Sequence, residues 1–426
     1  CIGTMLFTSI YGIVDGLCVS NFVGKTAFAA VNLIMPLPML LGTIGFMLGT
    51  GGSAIVGITL GEGDQKKADR YFTLFLLAAL VSVSVLAVLG IVFLRPIAVL
   101  LGAKGELLDY AVRYGRILMV SLPTFALQNM FQSFFVTAEK PHLGFWFTVG
   151  AGCTNMVLDV LMVGIWGWGV EGAAIATFIS QLVGGVLPVF YFINRSNSSR
   201  LHLCRTSFYS KVLRDACING SSELMTNLSM SLVNILYNYQ LLRLAGENGV
   251  AAYGVIMYAA FLFVAVFVGY AVGSAPIVSF HYGARNHAEV HNLYRKSLRL
   301  IAVVAVTLTL ASMFIIPCVA RIFVGYDAEL LALTSRAFRL YALSFLIMGF
   351  NVYASSFFTA LGDGVTSALI SFLRTLAFQV IAILLLPLLL GIDGIWLAVT
   401  AAELAALAVS AAMLLTKDNV FHYRKA

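Results

Sequence analysis

YFTLFLLAALVSVSVLAVLGIVFL, residues 71–94, carries no charged side chain and no alternation of polar and apolar positions. A helix needs roughly 20 apolar residues to cross a hydrocarbon layer about 30 Å thick, and this run supplies them. Backbone groups in lipid must be hydrogen-bonded internally, and without a dyad pattern a helix is favoured over a barrel strand. Runs of this kind recur along all 426 residues, of which 60% are hydrophobic and only 11% charged. That composition excludes a soluble globular protein of this length. The chain is expected to be an all-α membrane protein.

Polar punctuation separates the runs and places spans near 1–20, 28–60, 71–94, 107–138, 143–165 and 169–193. A second set follows near 212–242, 250–282, 293–316, 330–361, 365–390 and 392–415. The first span is expected to begin before Cys1. Between the sets lies residues 194–211, with Ser196, Asn197, Ser198 and Ser199 at its centre, a linker by composition. The expected organisation is an N-lobe at 1–193, this linker, a C-lobe at 212–415 and a tail at 416–426.

The two sets are copies. A shift of 222 or 223 residues lays Gly51 and Gly61 on Gly273 and Gly283, and Arg113, Arg116, Ser133, Phe134 and Phe135 on Arg336, Arg339, Ser356, Phe357 and Phe358. Gly169, Glu171 and Gly172 fall on Gly391, Asp393 and Gly394. Six spans per copy bring both copies into the membrane from one side, so the repeat is parallel and its pseudo-twofold axis runs along the membrane normal. Most of the 26 lysines and arginines, among them Lys66, Lys67, Arg70, Arg195, Arg200, Arg205 and Lys417, follow even-numbered spans. By the positive-inside rule both termini are expected to be cytoplasmic. Topology thus explains the net charge of +7, and no nucleic-acid partner is expected.

Ionisable residues that break the repeat carry information, because packing alone gives no reason to charge one copy. Asp15 falls on Tyr237, Asp159 on Ile381, and Glu223 on Cys1. A carboxylate inside a span costs roughly several kcal/mol and by default marks a functional site. Asn155 and Asp159, four apart, share a helix face, and Thr177 adds a hydroxyl. Carboxylate, amide and hydroxyl oxygens suit a proton or Na⁺. A protonated acid bonding helix to helix is the alternative. Gln128, Asn129, Gln132, Asn227, Asn234, Asn238 and Asn351 add uncharged polarity inside spans, as a water-accessible cavity or interhelical bonding requires. Arg374, inside the eleventh span, is placed to pair with an acid or to snorkel to the interface. The chain has no P-loop, GxSxG or HExxH, so it is not expected to be an enzyme, and no cofactor or metal cluster is expected.

Three stretches, YGIVDGLCVSNFVGKTAFAAVNLIMPL (11–37), GGSAIVGITLGEGDQKKAD (51–69) and FFTALGDG (357–364), resemble the multidrug and toxic compound extrusion (MATE) transporters, and within them the MepA-like branch. The resemblance covers the whole chain. It implies twelve transmembrane helices in two pseudo-symmetric six-helix lobes, and inward H⁺ or Na⁺ driving small organic, often cationic, drug-like molecules outward by alternating access. Asp15, Asn155, Asp159 and Thr177 match the N-lobe cation site of archaeal members. Glu223 and Asp363 match acids that another branch places in its C-lobe, with Gln128, Asn227 and Asn234 as further substrate-side candidates. A monomer in the bacterial inner membrane is implied. A lipid-linked precursor flippase of the same superfamily is the alternative, with a membrane enzyme or channel further off.

Overall fold

The computed structural model describes residues 1–10, 30–31, 33–101, 103–194, 196–324 and 327–423. Asp15 lies outside them. Among the described residues every regular element is helical. The chain divides into two compact units, Gly3–Gly220 and Ser221–Ala426.

In the first unit the helices are α1 (Pro36–Gly61), α2 (Gln65–Leu100), α3 (Glu106–Thr137), α4 (Pro141–Asp159), α5 (Gly169–Ile193) and α6 (Ser210–Asn219). Between α4 and α5 the chain continues as a π-helical segment, Val160–Ile165. Small residues let these helices approach closely. A Cβ on Gly45 of α1 would stand 2.3 Å from the Ala126 carbonyl oxygen, and one on Gly51 2.2 Å from that of Ala216. The short helix α6 therefore packs on α1. The unit ends after it, further along than the expected linker at 194–211. That linker is tied to α2, where the backbone amide of Cys204 donates to Thr73 Oγ1 at 3.1 Å and that of His202 to Asp69 Oδ1 at 3.0 Å.

The second unit holds α7 (Ser221–Gly283), α8 (His287–Val324), α9 (Ala328–Ala342), α10 (Phe345–Ala360), α11 (Gly364–Phe372), α12 (Phe378–Leu390), α13 (Ile392–Thr416) and α14 (Asp418–Phe421). Gly246, at φ 60°, breaks α7 in two. A π segment, Leu373–Ala377, joins α11 to α12.

The repeat extends to backbone detail. Turns with positive φ occur at Gly63 and again at Arg285, and at Glu139 and again at Gly362, each pair one repeat apart. Asp64 Oδ1 caps the start of α2 by accepting from the Lys67 amide, and Asn286 Oδ1 accepts from the Glu289 amide at the corresponding place before α8.

Eight described helices are long and apolar enough to cross a membrane, and a ninth results if α9 and α10, bent by 46°, count as one span. The expected first span runs into residues outside those described. The fourth and seventh expected spans are helical, but Gln128, Asn129 and Gln132 dilute one, and Asn227, Asn234, Asn238 and Gln240 the other. The two helices that fall short in apolarity are the ones loaded with candidate polar residues. The protein is a multi-pass helical membrane protein.

Candidate functional site

In the first unit, α4 brings Asn155 and Asp159 to one buried face, at 2% and 0% exposure. Asn155 Nδ2 donates to Thr177 Oγ1 of α5 at 3.5 Å, so the face is pinned to the neighbouring helix. Asp159 is the last residue in α geometry before the π segment. Such segments widen a turn, disturb the regular ladder and concentrate at functional sites. Thr177 and Gln181, one turn apart on α5, form the polar wall of a cavity of about 320 Å³ inside this unit, whose other lining includes Met35, Pro38, Ser121 and Phe125. Gln128 and Asn129 on α3 are buried, and Gln128 occupies the space left by Gly184, where a Cβ would stand 2.8 Å from its Cδ. Carboxylate, amide and hydroxyl thus meet at the α4–α5 contact, a donor set for one proton or one hard monovalent cation. Of the expected constellation the structure assembles Asn155 and Thr177, with Asp159 on the same buried face.

Asp159 is fully buried while Ile381, its expected counterpart, is 53% exposed, and the neighbouring Ala382 is 7% exposed. The one-residue slip in the repeat therefore falls after Asp159, and Ala382 is the structural counterpart.

The second unit is polar in another way. Glu223, half-buried near the start of α7, carries Asn227 one turn on, whose Nδ2 donates to the Glu223 carbonyl at 2.9 Å. Asn234 is exposed and its Oδ1 accepts from the Tyr253 hydroxyl at 2.7 Å. Tyr237, which stands where the first copy has Asp15, is buried and donates to the Ile395 carbonyl at 3.3 Å. Asp363 serves as the N-cap of α11, accepting from the Thr366 amide and hydroxyl, and meets Lys417 Nζ at 3.0 Å. Burial opposes its charge, but these bonds and the Lys417 ammonium outweigh that and hold the carboxyl below its ordinary range. Its place is a helix terminus with a lysine partner, apart from the Glu223 group.

One acid went unnoticed in sequence. Glu403 on α13, with its side chain 1% exposed, forms an ion pair with Arg374 Nη1 at 3.3 Å, so Arg374 takes the pairing alternative. Asn351, wholly buried on α10, donates from Nδ2 to Glu403 Oε2 at 2.7 Å and to the Glu403 carbonyl at 2.9 Å. Ser410 Oγ holds Asn351 Oδ1 at 2.9 Å. The signal was available: shifted by 222 residues Glu403 falls on Gln181, an ionisable residue facing a neutral one, just as for Asp159.

Known proteins supply independent findings. The multidrug export protein MepA of Staphylococcus saprophyticus is 21% identical to this chain, aligning over 98% of it and 92% of the relative. The structure is similar to that of a multidrug resistance MATE family transporter of the MOP superfamily in its outward-facing conformation, with TM-score 0.93 and 23% identity over 100% of this chain and 94% of the other. It is also similar to a MOP superfamily transporter from Pyrococcus furiosus, for which a binding pocket of reverse polarity suggests a different function, with TM-score 0.91 and 23% identity over 100% and 95% of the two chains. The family model described as MatE matches once in each half, at residues 1–161 and 224–385, and the chain belongs to that family of membrane transporters.

Proposed function

We propose that this protein exports amphipathic, often cationic, small organic molecules, driven by inward movement of H⁺ or Na⁺ and by alternating access between its two six-helix lobes. The observation that carries the reading is Asp159, fully buried on the face that Asn155 ties to Thr177. A membrane protein keeps a carboxylate at such a cost where its change of charge does work. Loading it with a cation neutralises the site, and unloading restores the charge; export follows when drug and cation favour opposite access states. The names of the multidrug export relatives support the substrate class. Fold alone is neutral here, since the same fold serves a multidrug resistance transporter and one with a pocket of reverse polarity. Acids inside this chain, Asp159, Glu223 and Glu403, favour cationic cargo over an anionic lipid-linked precursor. Both termini are assigned to the cytoplasm of a bacterial cell, and the working unit is one chain.

The test is efflux of a fluorescent cationic dye from proteoliposomes under separately imposed H⁺ and Na⁺ gradients. Efflux under one of the two identifies the coupling ion. Absence of efflux under both, from vesicles that bind the dye, overturns the reading.

A further inference from the structure

The interior of the second unit holds two carboxylates and one guanidinium. Arg374 sits on the π segment, which packs against both α7 and α13, and its charge acts on Glu403 and on Glu223. Tyr341 of α9 is the other titratable group in electrostatic range of Glu403. One guanidinium cannot neutralise two acids, so where it is held decides which acid keeps its negative charge.

Several observations place it on Glu403. The Glu403 carboxylate is locked from behind by Asn351, itself locked by Ser410, at 1% and 0% exposure for the two partners. Glu223 is half-buried, and among the described residues its carboxylate forms no ion pair. Arg374 engages Glu403 through Nη1, while its Nε is buried and donates to nothing among the described residues. An arginine fork has capacity for a second acceptor, and leaving a buried donor unmade costs about 1–3 kcal/mol. The guanidinium is therefore poised to accept another carboxylate once its hold on Glu403 weakens.

We propose that Glu403 is the positioning residue of the second unit, the permanent counter-ion that keeps Arg374 off Glu223, so that Glu223 remains open to exchange one proton or one monovalent cation. The inference rests on the export reading only for the use made of Glu223; the placement of Arg374 stands apart from it. Without Glu403, Arg374 turns to Glu223 and closes that acid to exchange. The neutral amides at the matching positions of the first unit, Gln128 and Gln181, have no such task because no arginine stands between them and Asp159's helix at the place matching Arg374, which is Ala151 or Gly152.

Labelling with dicyclohexylcarbodiimide, which modifies protonated carboxyls in apolar surroundings, tests this on the full chain in detergent, with the modified residue located by peptide mass spectrometry. The wild-type chain labels at Glu223, and E223Q removes that signal. E403Q lowers Glu223 labelling by about tenfold or more, the effect of an arginine on the protonated fraction of an adjacent carboxyl. R374Q/E403Q, which removes the guanidinium as well, restores it. E403D, with the carboxylate withdrawn by one methylene, gives a smaller loss and serves if E403Q fails to fold. A merely structural Glu403 would leave labelling unchanged in every folded variant, and that result overturns the proposal. So does an R374Q/E403Q protein that folds and stays unlabelled. Failure of the export reading shows separately, as absence of dye efflux from a wild-type chain that labels normally.

Discussion

The two units were built from one pattern, yet they bury polarity in opposite ways. In the first, a carboxylate on α4 shares its face with an amide bonded to a hydroxyl of α5, and the paired positions on α3 and α5 hold the glutamines Gln128 and Gln181. In the second, the matching positions hold Asn351 and Glu403, and an arginine has been added on the π segment to pair with the acid. The first arrangement leaves a charge that a mobile cation can answer. The second supplies part of its answer from the chain itself, which makes it rigid and costly to disturb. Sharing a fold therefore does not mean sharing a task; the first unit is suited to load and unload, the second to hold charge in place.

The largest expected effect breaks the comparison at Asp159. Asp159→Asn keeps the size and most of the hydrogen bonding but removes the titratable group. Gradient-driven dye efflux should fall to background while dye binding persists in part. If Asp159 merely joins helices, an amide donates equally well at a cost of about 1 kcal/mol, and near-normal transport would result. Wild-type efflux from this variant would remove Asp159 from the coupling step.

Next in size is the difference in what the two units lose when the paired position is emptied. Glu403→Ala strands the Arg374 charge in the interior and should destabilise the second unit by about 3–5 kcal/mol. Gln181→Ala, at the matching position in the first unit, removes a neutral amide and should cost about 1 kcal/mol. Thermal unfolding in detergent checks the order, and equal shifts would mean that the ion pair is no more structural than its neutral counterpart. A smaller effect is expected at Thr177→Val, which deletes the acceptor of the Asn155 amide. The half-saturating concentration of the coupling cation should rise about fivefold, the equivalent of one hydrogen bond near 1 kcal/mol. Thr177→Ser should restore it. No change in either variant would place Asn155 and Thr177 outside the cation's reach.

Much of this was legible in sequence for physical reasons. Lipid imposes a length and an apolarity on each span, and a tandem copy reports its own register, so the class of fold and the helix order follow from pattern alone. Asp159 was legible because an isolated carboxylate in an apolar run is conspicuous. Glu403 is equally isolated between Ala402 and Leu404, but its meaning depends on Arg374 and Asn351, which lie 29 and 52 residues away along the chain and meet it only through packing. The π segments were not legible either. They arise from how a helix accommodates its neighbours, and no local residue signature announces them. Register also escaped at one point: the slip after Asp159 exchanges Ile381 for Ala382, and only burial distinguishes the two.

The smallest expected effect concerns Asp363 and its counterpart in the first unit, Lys140. Both follow a residue with positive φ at the end of the fourth helix of their repeat, and both grip the segment that trails their unit, Lys140 through Ser198 at 2.9 Å and Asp363 through Lys417 at 3.0 Å. The charge is reversed but the tie is the same. Because bonds from Thr366 and Lys417 hold the Asp363 carboxyl below its ordinary value of 3.8, the unfolded chain binds a proton there more readily than the folded one. The stabilisation is therefore complete above pH about 4 and is lost as the pH falls through the lower, folded value. Lys417 is partly exposed, so the contribution is about 1 kcal/mol or less. Asp363→Asn should lower the melting temperature slightly at pH 7 and leave it unchanged near pH 2, where the wild-type carboxyl has taken up its proton. Dye efflux should be unaffected, because the group is occupied in capping α11 and tying down the tail. A variant that melts like the wild type at both pH values but loses efflux would move Asp363 from the structural ties into the transport machinery, and the two ends of the repeat would no longer be equivalent.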